Sequence, residues 1–102
     1  MARQKMETEE ASGKLAALEG WTSEDGMQSI RKSFRFADFS EAFAFMVRAA
    51  MAAEKLDHHP DWRNVYKTVD VLISTHDAGG LTDLDFQLAA EMDRFASHTS
   101  KG

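Results

Sequence analysis

Cysteine is absent from this chain. Its absence rules out disulfides, thiol catalysis and thiolate-bound zinc together, and it fits a cytoplasmic protein. Long apolar runs are missing as well. Nothing approaches the ~20 residues needed to cross a bilayer, so no membrane role is expected. The opening M-A-R-Q-K-M-E-T-E-E follows its basic residues with acids rather than an apolar stretch, and is not expected to act as a secretory signal. Positive charge is scarce too: 12 Lys and Arg stand against 17 Asp and Glu, for a net charge of −5 and a pI near 5.3. The basic residues are scattered, whereas direct nucleic-acid binding needs a concentrated basic surface, so it is not expected. Proline occurs once, at position 60, immediately after two adjacent histidines.

What is present suffices for one core. Of 102 residues, 43% are hydrophobic, which suits a single domain over 1–102 and not two. Between Thr8 and Leu18 the apolar Ala11, Leu15 and Leu18 recur at helical spacing. Glu9 and Glu10 sit at the end where the helix dipole favours negative charge, and Gly13 weakens the helix by ~1 kcal/mol relative to alanine. After Gly20 and Trp21 the polar T-S-E-D-G is turn-like. In S-I-R-K-S-F-R-F, residues 29–36, Ile30, Phe34 and Phe36 share one parity while Arg31 and Arg35 take the other, the mark of a half-buried strand.

Ser40 is placed to cap the next helix, expected from Glu41 to about Leu56. One apolar stripe runs through Phe39, Phe43, Met46, Val47, Ala50 and Met51, and a second through Phe45, Ala49, Ala52 and Leu56. A helix apolar on so much of its circumference should be covered on two sides, and in a domain this small the second cover is expected to be another subunit. This predicts a homodimer or homotetramer joined through residues 40–56. Residues 64–76, N-V-Y-K-T-V-D-V-L-I-S-T-H, read as a long strand with Val65, Val69, Val71 and Ile73 on one parity and Tyr66, Leu72 and His76 on the other. D-A-G-G then turns the chain, and a last helix carries Leu84, Leu88, Met92 and Phe95 as its core stripe, with the tail 97–102 expected to fray. The order is helix, strand or hairpin, helix, strand pair, helix. The expected fold class is α+β, a mainly antiparallel four-stranded sheet with three helices packed on one face (α-β-β-α-β-β-α).

Of the four histidines, His98 falls in the tail and is taken as incidental. His58 and His59 follow the apolar helix, and Pro60 disfavours helical geometry at His59, so the helix should end there. His76 stands at a strand end before a glycine-rich turn, where side chains from distant segments can converge. Three readings compete. The histidines with Asp57, Asp77 or Asp85 could bind a metal, although neither H-x-H nor H-x-x-x-H spacing occurs. They could be polar residues that finish a helix and a strand. Or they could exchange protons with a small molecule, for which imidazole's ordinary pKa of ~6.5 is suited. Thr82 and Asp85 have the spacing of a helix capping box, which would explain that acid without chemistry. Glu54 and Asp57 could be solvated residues of a last helical turn, and Trp21 and Trp62 packing residues, although Trp62 is close enough to the histidine pair to wall a site for a flat ring.

The motifs A-E-K-L-D-H-H-P-D-W-x-N-V-Y, residues 53–66, and S-T-H-D-A-G-G-L-T-D-L-D, residues 74–85, together with F-x-F-x-D-F-S-E-A-F-A-F-M, residues 34–46, closely resemble the pterin-4a-carbinolamine dehydratase family. The resemblance runs from about Leu18 to Phe95. It implies an antiparallel sheet with helices on one side, dimers or tetramers joined partly through the central helix, and no metal or organic cofactor. The implied reaction is loss of water from 4a-hydroxytetrahydrobiopterin to give quinonoid dihydrobiopterin, a step that recycles the pterin of aromatic amino-acid hydroxylases. The resemblance also carries roles onto residues: His58, His59 and His76 become catalytic, and Glu54, Asp57, Pro60, Trp62, Ser74, Thr75 and Asp85 substrate-binding. Some animal relatives also bind the dimerisation helices of a homeodomain transcription factor. The alternative expectations are therefore an interaction module or transcriptional coactivator using the apolar helix, or a pterin-binding protein without catalysis. Participation in molybdopterin metabolism is a third possibility that these motifs do not separate.

Overall fold

A computed structural model of the protein describes residues 4–99. The elements follow in the order α1 (Thr8–Ala16), β1 (Ser29–Arg35), α2 (Phe39–Leu56), β2 (Asp61–Val65), β3 (Thr68–Ser74), a single 3-10 turn (His76–Ala78) and α3 (Asp83–Thr99). The strands form one antiparallel sheet in the order β1-β3-β2. The class is α+β as expected, with three helices, but the sheet has three strands and the expected four-stranded α-β-β-α-β-β-α order is corrected to α-β-α-β-β-α. The missing strand is reduced to one bridge, in which Thr22 and Arg31 exchange backbone hydrogen bonds of 3.0 and 2.8 Å. Beyond it, the Asp25 carboxylate accepts from the backbone N–H groups of Gln28 and Ser29 and from the hydroxyls of Ser23 and Ser29. Gly26 and Met27 take positive φ. A loop that satisfies its own polar groups in this way leaves nothing to extend the ladder.

Residues 64–76 differ from expectation as well, since they are not one long strand. The chain reverses at residues 66–67, where Tyr66 holds φ 57 and the Asn64 amide donates to the carbonyls of Tyr66 and Thr68. The reversal puts Val65 at the hairpin tip, 51% exposed, while Val69, Val71 and Ile73 point into the core. There they meet Ile30 and Phe34 of β1, with Phe36 just beyond its end, and the α2 side chains Ala42, Phe45, Ala49 and Ala53, with Leu88, Ala89 and Met92 of α3 closing the same cluster. Arg31 and Arg35 are exposed, as their parity in the sequence predicts.

Helix α2 begins at Phe39, capped by Asp38 rather than by Ser40. The Asp38 carboxylate accepts from Glu41 N–H at 2.8 Å, and the Glu41 carboxylate reaches back to Ala37 N–H at 2.9 Å. Its two apolar stripes separate as the sequence suggests. Phe45 and Ala49 are fully buried, whereas Phe39, Phe43, Val47 and Met51 remain 46–67% exposed. Helix α3 runs to Thr99, with Phe95 and Ala96 packed against the core. Residues 100–102 of the tail expected to fray lie outside the described residues. Among the described residues no helix is long and apolar enough to cross a membrane.

Candidate active site

The site is built where α2 ends, β3 ends and α3 begins. The device that ends α2 is Asp57, not Pro60. Asp57 takes a left-handed conformation (φ 52, ψ 44), and its N–H and that of His58 turn back to the carbonyls of the last helical turn, His58 N to Ala53 O at 3.0 Å. That conformation at a helix C-terminus is usually left to glycine or asparagine, so an aspartate here stores a little strain. Its effect is to reverse the chain within one residue, which sends the two histidines in different directions.

His58 turns inward and is 4% exposed, with its Nε2 2.6 Å from Asp85 Oδ1. His59 turns outward, 56% exposed on its side chain, with its Nε2 2.6 Å from Glu54 Oε1. Pro60 then starts the extended segment that enters β2. His76 arrives from the other side, exposed at the start of the 3-10 turn. That turn is closed by hydrogen bonds from Ala78 N to Thr75 O and Gly79 N to His76 O, with Gly79 at φ 75. One cavity of about 210 Å³ lies between these segments, lined by Asp57, His58, His59, Ser74, Thr75, His76 and Asp77.

Beneath the cavity lies a buried polar layer. Asp85 is fully buried, and its Oδ2 accepts from the Thr75 hydroxyl at 2.7 Å and from Thr82 N–H at 2.7 Å. The Thr75 and Thr82 hydroxyls are themselves 2.9 Å apart. Burying a carboxylate is costly unless its oxygens are hydrogen-bonded, and here each oxygen has a donor facing it. Asp85 therefore serves as half of a capping box, taking the N–H of Thr82 just before α3, and as the partner of His58 with its other oxygen. Among the described residues no buried side-chain nitrogen or oxygen lacks a hydrogen-bond partner.

The three histidines expected at the site share the cavity wall with Asp57, Ser74 and Thr75, and Asp85 lies directly behind His58. Glu54 joins through His59 rather than through the wall. Pro60 and Trp62 are not on it. Trp62 is half-buried in β2 opposite Val71 and packs against the core, while Arg31, Ser33, Asp61 and Arg63 line a wider depression of about 580 Å³ on the sheet face turned away from the helices. That depression contains no histidine. Its charges alternate in sign across the strands, with Arg63 opposite Asp70 and Ser33 donating to Asp70 at 2.7 Å, so it is a solvated sheet surface rather than a proton-transfer site. Sequence reasoning named Asp77 only as a possible metal ligand and missed the Thr82 hydroxyl as part of the buried layer. The T-x-x-D spacing pointed to Thr82 only as a cap. No three His, Asp or Glu side chains among the described residues are arranged to hold a metal ion.

Comparison with known proteins gives a consistent picture. The family model described as pterin 4 alpha carbinolamine dehydratase matches residues 4–95. A Chelativorans sp. (strain BNC1) protein, provisionally named pterin-4-alpha-carbinolamine dehydratase, is 55% identical over 97 residues, covering 95% of this chain and 99% of that one. A similarly named protein of Mesorhizobium japonicum is 55% identical over 95 residues, covering 93% of this chain and 97% of that one. Among solved structures, one described as a transcriptional coactivator/pterin dehydratase from Brucella melitensis superposes with a TM-score of 0.88 at 47% identity, covering 92% of this chain and 100% of that one. A pterin dehydratase-like protein described as a RuBisCO assembly factor in the alpha-carboxysome shares the fold, with a TM-score of 0.66 at 20% identity over 80% of this chain and 93% of that one.

Proposed function

Because the chain belongs to the pterin 4 alpha carbinolamine dehydratase family, we propose that it removes water from 4a-hydroxytetrahydrobiopterin, giving quinonoid dihydrobiopterin, by histidine acid/base catalysis within tetrahydrobiopterin recycling. In this step the C4a–O bond breaks, the leaving hydroxyl takes a proton from an acid, and N5 gives its proton to a base, so one water is released and nothing is oxidised or reduced. His58 and His76 form the principal acid/base pair, and His59, steadied by Glu54, holds or polarises the pterin. The observation that carries this reading is the meeting of three histidines from two separate segments on one cavity, one of them backed by a buried carboxylate. A carboxylate behind an imidazole orients the ring and favours the cation that forms when the other nitrogen takes a proton.

The test is dehydration of freshly generated 4a-hydroxytetrahydropterin, followed by absorbance. His58→Ala and His76→Ala should each lower kcat by about 10²-fold or more. Near-wild-type rates in both single variants would remove the assignment.

The exposed stripe of Phe39, Phe43, Val47 and Met51 supports a further element of the reading, a homodimer or homotetramer joined through α2. Four large apolar side chains on one face of a helix, with Phe39 and Phe43 ring centroids 5.9 Å apart, form a contiguous patch of the kind that marks an interface. The same stripe favours the second reading, in which this face also serves a protein partner, as the word coactivator in the description of the Brucella melitensis relative suggests for that protein.

A further inference from the structure

We propose that Thr75 and Thr82 are positioning residues for His58: their hydroxyls form a one-way hydrogen-bond chain, Thr82 to Thr75 to Asp85, that fixes which nitrogen of His58 carries the resident proton. The proposal rests on the reading of His58 as an acid/base group, and it gives the hydroxyl of Thr75, a residue of the cavity wall, a role in the layer behind that wall.

The direction of the chain follows from counting protons. A threonine hydroxyl has one proton to give. Thr75 gives its proton to Asp85 Oδ2 at 2.7 Å, so in the 2.9 Å contact between the two hydroxyls Thr82 must be the donor. Oδ2 also receives Thr82 N–H at 2.7 Å. Both contacts on Oδ2 are donors, which a carboxylate accepts more strongly than a carboxylic acid does, and a carboxylate has only lone pairs to offer at Oδ1, so the 2.6 Å contact with His58 is satisfied by a proton on Nε2. Nδ1 is then the ring nitrogen left to exchange a proton with the substrate.

Capping alone does not account for this arrangement. A full capping box would turn the Thr82 hydroxyl onto Asp85 N–H. Here Asp85 N bonds instead to Thr82 O at 3.1 Å, and the hydroxyl faces Thr75. Thr75 is brought within reach by its isolated bridge to Gly80, which folds the 3-10 turn back so that the end of β3 lies against the start of α3. All four members are 0–4% exposed. Burial thus shields the hydroxyl chain from bulk water, and loss of one link leaves a buried donor or acceptor without an exchange partner. The other ionisable groups around His58, namely Asp57 and His59 from the helix exit and His76 and Asp77 from the 3-10 turn, lie on the cavity wall.

The test compares Thr75→Val, which keeps the shape and removes the hydroxyl, with Thr75→Ser, which keeps the hydroxyl, and repeats the pair at Thr82. The first readout is the tautomer of His58 in the ligand-free protein, from its imidazole ¹⁵N shifts at a pH where the ring is neutral. The second is kcat and KM with generated 4a-hydroxytetrahydropterin. Thr75→Val should lose the pure Nε2–H signature and lower kcat by roughly 10- to 100-fold with KM changed about twofold or less, as loss of a supporting partner behind a site ligand does. Thr75→Ser should recover kcat to within about threefold, and Thr82→Val, one link further away, should cost roughly 3- to 10-fold. An unchanged His58 tautomer in Thr75→Val, or equal losses in the Ser and Val variants, would overturn the proposal. Should Thr75→Val not fold, the Thr82 pair decides by the same criteria. If the wild type does not dehydrate the pterin, the function fails on that result alone, and the ligand-free tautomer measurement still decides the chain.

Discussion

Replacing Asp85 with asparagine changes one oxygen to an NH₂ group and should invert the chemistry of His58. Three donors converge on the native carboxylate: His58 Nε2–H at 2.6 Å, the Thr75 hydroxyl at 2.7 Å and Thr82 N–H at 2.7 Å. Two of them share Oδ2, so the amide oxygen takes that place and the NH₂ group faces His58. An NH₂ group can only donate, so Nε2 must accept, and the ring proton moves to Nδ1. His58 would then present a donor where the carboxylate had left it an acceptor. The expected loss is about 10²- to 10⁴-fold in kcat, the range for removing correctly protonated acid/base help, equivalent to roughly 3–5.5 kcal/mol of barrier.

The fold should survive this change. Charge-assisted hydrogen bonds become neutral ones, at a net cost of about 1–2 kcal/mol, partly offset because no charge is buried, and Tm should fall by roughly 5–15 °C. Alanine is the less informative choice, since it leaves three buried donors unpaired at about 1–3 kcal/mol each, a large share of the roughly 5–15 kcal/mol that holds a domain together. The assay is a thermal melt, the ¹⁵N shifts of His58 and dehydration kinetics on one preparation. A folded Asp85→Asn protein with an unchanged His58 tautomer and a rate within about threefold of wild type would refute the reasoning.

Two further outcomes follow from other parts of the molecule. The double variant Phe43→Glu with Met51→Glu puts charge on side chains that are 54% and 67% exposed, so it should sediment as a monomer and lose any concentration dependence of Tm; a wild type that already sediments as a monomer would remove the α2 interface. Asp25 is held below its ordinary carboxylate pKa of 3.8, first by the Ser29 hydroxyl; desolvation opposes this next, and the backbone N–H of Ser29, the Ser23 hydroxyl and the Gln28 N–H add to the lowering. A group depressed in the folded state stabilises the fold above its unfolded pKa and loses that contribution as pH falls through the lower folded value. Asp25→Asn should therefore lower Tm at neutral pH and shrink the gap to wild type at pH below 3.8, as melts across the acid range would report; a gap that widens in acid would contradict this.

Much of the fold was legible in the sequence because burial imposes a period. The alternation of Ile30, Phe34 and Phe36 with Arg31 and Arg35 gives β1 its two faces, and Leu88 and Met92 mark the buried side of α3. The features that were not legible are those in which a side chain captures backbone groups. Asp25 consumes the N–H groups that a fourth strand would have used, Asp38 caps α2 two residues ahead of the serine that looked suited to it, and Tyr66 bends what alternation alone would extend. Periodicity does not encode such captures, because they depend on a single residue's φ or a single hydrogen bond.

The site divides along the same line. The residue types, the two histidine motifs and the T-x-x-D box stand in the sequence, and with them the family and the chemistry to be expected. Adjacency in sequence, however, assigns no direction to a side chain. That His58 faces a buried carboxylate while His59 faces water is decided by the left-handed turn at Asp57, and that Thr75, Thr82 and Asp85 form one layer is decided by the packing of a strand end against a helix start. Hydrogen bonds between residues 7 to 27 positions apart exist only once the core has brought their segments within 3 Å, and that is a property of the packed molecule.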